Sequence, residues 1–227
     1  MLTQAQHKQI SDAVAAAEAK SAGEIFCVMA HEVSTYREIP FAWGAGAAFV
    51  LPPLALLLGR WPVLITQIFS GWSADQIGVV HSAVIEALSG YVMLQALLFV
   101  LVGAIVAWPP LRRILTPGFL KQHRVRQAAR HHFIASGFHL TDAEPHILIF
   151  ASLHDRRVEI VAHKAIHNAV GDKPWREAAD AVVTGMKTDD PANGFVRAIE
   201  ICGAALATHF PSDGMPRNFL PNDILET

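Results

Sequence analysis

Charged side chains are scarce in this chain: they make up 17% of 227 residues, against 52% apolar. Soluble domains carry about a quarter charged residues, so this composition does not suit a surface that faces water everywhere. Cysteine is nearly missing as well. Cys27 and Cys202 stand alone in apolar surroundings and form no Cys-x-x-Cys pair, which excludes a disulfide scaffold and assigns both to a reduced core. The chain also lacks a Walker A loop, a G-x-G-x-x-G turn, a G-x-S-x-G elbow and a His-Glu-x-x-His helix. Nucleotide, serine-hydrolase and metalloprotease chemistry therefore have no motif to rest on. A net charge of −2 argues against nucleic acid as a partner.

Apolar residues, by contrast, are concentrated. Residues 41–59 (FAWGAGAAFVLPPLALLLG) carry no ionisable side chain. Residues 90–111 (GYVMLQALLFVLVGAIVAWPPL) carry only the tyrosine phenol, neutral at physiological pH. Each has the length of a bilayer span, about 20 residues. The polar remainder is too short to enclose two such helices as the core of a soluble protein. Some forty residues of amphipathic and charged sequence precede the first run, and no basic opening marks it as a cleaved signal. Pro52 and Pro53 would kink it, which membrane helices tolerate when a neighbouring helix satisfies the freed carbonyls. Trp43, Trp61, Tyr91 and Trp108 lie near the ends of the runs and read as anchors in the headgroup layer.

Orientation follows from the basic residues. Arg112, Arg113, Lys121, Arg124, Arg126 and Arg130 follow the second span, whereas the loop between spans offers only Arg60. The positive-inside rule then predicts both termini in the cytoplasm and the lipid bilayer of a bacterial plasma membrane as the first partner.

The flanking sequence predicts a small α/β domain. Thr3 and Gln6 form a capping-box pattern, and Ile10, Ala13, Val14 and Ala17 continue it as an amphipathic helix that Gly23 ends. Residues 24–30 (EIFCVMA) are apolar on both faces, as an interior strand is. Residues 60–90 predict a short interfacial or extracytoplasmic helix, and 121–136 a basic helix capped by Gly137. HILIFASL (146–153) and RVEIVAH (157–163) flank the short turn His154-Asp155-Arg156 and predict a hairpin. Helices should open at Asp172-Lys173-Pro174 and at Asp190-Pro191, the latter with a core stripe of Phe195, Ile199, Cys202 and Leu206. The parts before and after the apolar runs are each too small to fold alone, so they should combine. The expected organisation is 1–38 and 112–210 as one domain, 39–111 as an inserted hairpin, and 211–227 as a flexible tail rich in proline and turn formers.

The LTQAQ opening, the step Ser21-Ala22-Gly23-Glu24-Ile25 and the stretch ILIFASLHDRRVEIVAHKAIHNAV at 147–170 resemble the TPM domain family. The resemblance covers everything except the hairpin and the tail. It implies an α/β/α fold, a small mixed sheet with helices on both faces, here interrupted by a two-helix transmembrane hairpin. Some members of that family are described as acid phosphatases or as binding calcium through acidic loops. Where the family has an Asp-Asn-Gly-like step, this chain has Glu144-Pro145-His146, and the loop after the hairpin is His163-Lys164-Ala165. Asp142, Glu144 and Asp155 remain, fewer oxygens than a hard cation needs.

Two constellations carry chemistry. Asp155, Arg156 and Arg157, with Glu144, form a candidate polar site, against the plainer reading of a turn with solvated charges. His163 and His167 are four apart, among eight histidines between positions 123 and 167, and imidazole pairs suit a divalent transition metal. Against this, neither cysteine lies at ligand spacing, and His163 ends a predicted strand, so the pair is not two positions on one helix face. The function expected from sequence is a membrane-anchored TPM-like module that binds or assembles partners, including a membrane protein, at the cytoplasmic face. A phosphatase-like hydrolase or a metal-binding domain is the alternative.

Overall fold

A computed structural model describes residues 2–57, 77–135, 145–212, 214 and 221–227. The chain divides into two compact units, the first made of residues 1–35 and 118–227 and the second of 36–117.

The first unit is a mixed α/β fold. Its sheet contains β1 (Glu24–Ala30), β2 (His146–Ser152), β3 (Arg157–Ala162) and β4 (Leu225–Glu226) in the order β3-β2-β1-β4. β1 runs parallel to β2, with Glu24 opposite His146 and Ala30 opposite Ser152, and parallel to β4, while β3 runs antiparallel to β2. All seven residues of β1 and of β2 are buried. Alternation explains this: Ile25, Cys27 and Met29 join one apolar cluster, and Phe26, Val28 and Ala30 join another.

Helices cover both faces. On the first lie α1 (Gln4–Glu18), α7 (Lys173–Lys187) and α8 (Pro191–His209), which contribute Ile10, Val14, Val182, Phe195, Ile199 and Leu206 to the larger cluster. On the second lies α5 (Gly118–Ala135), through Val125 and Ala129. The short α6 (Lys164–Val170) seals one end with Ile166. Each fully buried large side chain in this set contributes about 1.5–3 kcal/mol through its burial. α1 starts as its sequence dictates: Thr3 Oγ1 accepts from Gln6 N at 3.3 Å, and Gln6 Oε1 accepts from Thr3 N at 2.8 Å. Gly23 is required because a Cβ there would fall 2.7 Å from Pro145 O.

The second unit contains α2 (Glu38–Leu57), α3 (Ile77–Ala107) and α4 (Pro109–Leu115). α2 and α3 pack closely, since a Cβ on Gly44 would lie 2.8 Å from Phe99 O, and the Phe41 and Phe99 rings are 6.4 Å apart. Among the described residues one helix, over Leu88–Ala107, is long and apolar enough to cross a membrane. The sequence predicts two spans. The run at 41–59 corresponds to α2, which carries Pro52 and Pro53 inside it, and residues 58 and 59 lie outside the described residues.

Several expectations need correction. The helix that includes the second apolar run begins at Ile77, so residues 77–90 extend that helix rather than form a separate short one. It ends at Ala107 rather than Leu111, because Trp108 turns to extended backbone and Pro109 starts a new helix. The segment 211–227 is no flexible tail throughout. Leu225 and Glu226 pair with Val28 and Met29, Thr227 N donates to Met29 O at 3.1 Å, and Ile224 is buried. His163 does not end a strand: it caps α6, whose His167 N donates to His163 O. Trp61, Gly137, Asp142 and Glu144 lie outside the described residues.

Candidate functional site

The two ends of the parallel β1–β2 pair carry the polar groups of the first unit. At the carboxyl end, where open α/β sheets usually bind ligands, β2 leads into a four-residue turn from Leu153 to Arg156 closed by Arg156 N donating to Leu153 O at 3.3 Å. Arg156 takes φ +48°, a left-handed conformation unusual for a residue with a Cβ. This turn brings Asp155, Arg156 and Arg157 together. The two arginines are exposed, and Arg157 reaches the start of α5, where a Cβ on Gly118 would lie 3.3 Å from its Nη2. Beside them, His154 N donates to His31 O, His31 N donates to Thr227 O, and the two imidazoles are 6.1 Å apart. Ser152 is fully buried at this end. The two arginines thus stand exposed at the rim of this turn, beside the half-buried Asp155.

The amino end holds what sequence reasoning missed. Strand register sets Glu24 opposite His146, and a Glu24 carboxylate oxygen lies 3.9 Å from His146 Nδ1, with both side chains almost wholly buried. Glu18, at the end of α1, accepts from Ile25 N at 3.0 Å. Burial, supplemented by the neighbouring Glu24 charge, raises the Glu18 carboxyl to about 7, even though the Ile25 hydrogen bond pulls the other way. The Glu18 carboxyl is thereby brought close to neutrality. One signal pointed to this cluster: Glu24 is an ionisable residue in a strand buried on both faces, a placement that demands partners.

The histidine pair is placed by α6. His163 Nδ1 accepts from Ala165 N at 3.4 Å as the cap, while His167 Nε2 lies 3.6 Å from Asp172 Oδ1. The two side chains thus serve different partners. Among the described residues no group of three or more histidine, cysteine, aspartate or glutamate side chains converges to hold a metal ion. His132 packs 5.4 Å from the Phe150 ring, and burial, with the adjacent His131, lowers its pKa. Both thiols are buried: Cys202 is pushed up to about 12, and Cys27 further still, by burial and by Cys202 itself. Neither is a nucleophile at neutral pH.

The aromatic residues predicted as interfacial anchors fall within the second unit. Trp43 Nε1 donates to Leu115 O at 3.2 Å, Tyr91 is partly exposed on α3, and Trp108 is 68% exposed between α3 and α4.

These elements define a mixed α/β protein on a four-stranded sheet. No protein-family model matches the chain, and no curated protein does. A solved structure does: the chain is similar in fold to the BA42 protein of the psychrophilic bacterium Bizionia argentinensis, determined by NMR, with a TM-score of 0.55 and 18% identity over 100% of this chain and 96% of that one.

Proposed function

We propose that the chain is a membrane-anchored module of the TPM type, held in the bilayer by a two-helix hairpin of α2 and α3, that binds or assembles partners at the cytoplasmic face of a bacterial plasma membrane. The observation that carries this reading is the exposure of α3. Only 6% of the positions in its apolar window, within Leu88–Ala107, are buried, whereas a core helix of a soluble protein would be mostly covered. Val92, Met93, Leu97, Val100 and Leu101 are all more than half exposed, and α2 adds Phe41, Phe49 and Val50. So large an apolar surface on a pair of packed helices suits lipid as its solvent. The basic residues from Arg112 onward support a cytoplasmic first unit. A binding role is favoured over hydrolysis because the described polar residues at the sheet ends serve a turn, a cap and a buried pair.

Reporter fusions test it. One reporter active only in the cytoplasm and one active only after export are placed beyond Thr227, through a flexible linker because Thr227 is tied to Met29 and His31, and separately near Asp75. Cytoplasmic signal at the end and exported signal near Asp75 are expected. The reverse pattern, or cytoplasmic signal at both, overturns the proposal.

A further inference from the structure

One edge of the sheet is thinly closed. β1 has seven residues, but on its outer side β4 matches only Val28 and Met29. Thr227 N then donates to Met29 O at 3.1 Å, and His31 N donates to Thr227 O at 2.8 Å. Toward the start of β1 the cover is a side chain, since Ile25 N donates to Glu18 Oε1 at 3.0 Å instead of to a strand. The outer edge of an apolar strand is a template for pairing with another chain, and here two paired residues and a carboxylate guard it.

What holds β4 in place is specific rather than extensive. Ile224, 4% exposed, enters the larger apolar cluster, whereas Leu225 is 43% exposed. Glu226 Oε1 accepts from Leu2 N at 2.7 Å and lies 3.6 Å from His7 Nε2, while Asp223 Oδ1 is 2.8 Å from His7 Nδ1. The start of α1 thus gathers the donors, and the strap of residues 223–227 brings one carboxylate on each side of a buried isoleucine. The seat reads an extended run of acid, apolar, apolar and acid lying parallel to β1, which Asp223-Ile224-Leu225-Glu226 supplies.

We infer that the outer edge of β1 is a parallel strand-addition site whose occupant is exchanged between two copies of this chain, each receiving the other's Asp223–Glu226. A strap that crosses makes the same contacts in the receiving copy as in its own, so the exchange gives up none of them. The balance between closed chain and exchanged pair is set instead by concentration and by the stretch that leads to the strap. Ser212 N donates to Lys20 O at 3.3 Å, and eight residues, 213–220, separate this tie from Pro221. Such a stretch reaches at most about 30 Å, so the receiving edges of the two copies lie side by side. The inference names a second copy as the partner and does not rest on the membrane reading, because every residue it uses belongs to the first unit.

The test uses the full chain in detergent, with its mass read by light scattering over a wide range of concentrations. A free peptide of residues 221–227 (PNDILET) is the probe. Dimers are expected to increase with protein concentration and to dissolve when the peptide is in excess. The same peptide with Glu226→Gln should be needed at roughly five- to tenfold higher concentration, because a neutral acceptor replaces a charged one at Leu2 N and His7. Ile224→Asp in the full chain should be monomeric at every concentration, with the amides of the β2–β3 ladder still protected from exchange. Where that variant loses its fold, the peptide decides on the parent chain alone. A parent chain that is monomeric throughout overturns the inference. So does a dimer that excess peptide or a folded Ile224→Asp chain leaves intact, since the copies then meet elsewhere. Neither result touches the membrane reading, which the reporter fusions decide.

Discussion

Replacing Glu18 by glutamine should stabilise the protein at alkaline pH and leave it unchanged in acid. In the folded chain the Glu18 carboxyl is raised from 4.5 to about 7, chiefly by burial. A raised folded pKa means that the stability associated with the neutral form is fully present below pH 4.5 and is lost as pH climbs through 7. Glutamine is neutral at every pH, and its carbonyl oxygen can still accept from Ile25 N, so it keeps the contact while shedding the penalty. Taken at face value the shift corresponds to about 3.4 kcal/mol. Solvent reaches a substantial part of this side chain, so screening reduces the figure to about 1–2 kcal/mol. For a chain of this size that amounts to roughly 2–8 °C in melting temperature. The assay is thermal unfolding of both proteins in detergent at pH 4 and pH 8. The reasoning fails if Glu18→Gln melts below the parent at pH 8, or if the difference between them is the same at both pH values.

Phe195→Ala removes a fully buried ring between α8 and the sheet and should cost about 3–5 kcal/mol, read as a lower urea midpoint with little change in slope. Removing residues 221–227 deletes β4 and the acceptor for His31 N. The His31 amide should then exchange with solvent much faster, while the β2–β3 ladder from Ile147 to Ser152 keeps its protection.

Sequence patterns revealed most of the sheet and little of its polar chemistry. The runs at 24–30 and 146–152 are legible because a strand covered on both faces must be apolar throughout, and both were read within a residue of their observed limits. Thr3 with Gln6 is equally legible, because both halves of that cap lie within one turn. β4 was hidden because two paired residues carry no periodicity, and the proline and turn formers before them read as coil. The start of α3 was hidden by polar residues such as His81 and Glu86, which interrupt the apolar pattern without breaking the helix. The Glu24–His146 pair depends on parallel register between distant segments. That information is nonlocal, and only the cost of burying a lone carboxylate hinted at it. The fates of His163 and His167 were hidden locally: the strand was read one residue too far, through His163, and the turn at Gly171, φ +74°, sets Asp172 near His167.

The parallel pairing of β1 with β2 has a bearing on biosynthesis. The central strand of the sheet is made early, yet its neighbour follows only after the whole of the second unit. While the ribosome works through α2 and α3, β1 is an apolar segment with both edges open and both faces bare. Synthesis of both apolar helices therefore precedes completion of the domain, and residues 24–30 wait without their sheet neighbour until residues 146–152 arrive. A chain arrested after α3 should be far more prone to aggregate than one arrested after β3, which makes the delay in the sheet a matter of quality control as much as of architecture.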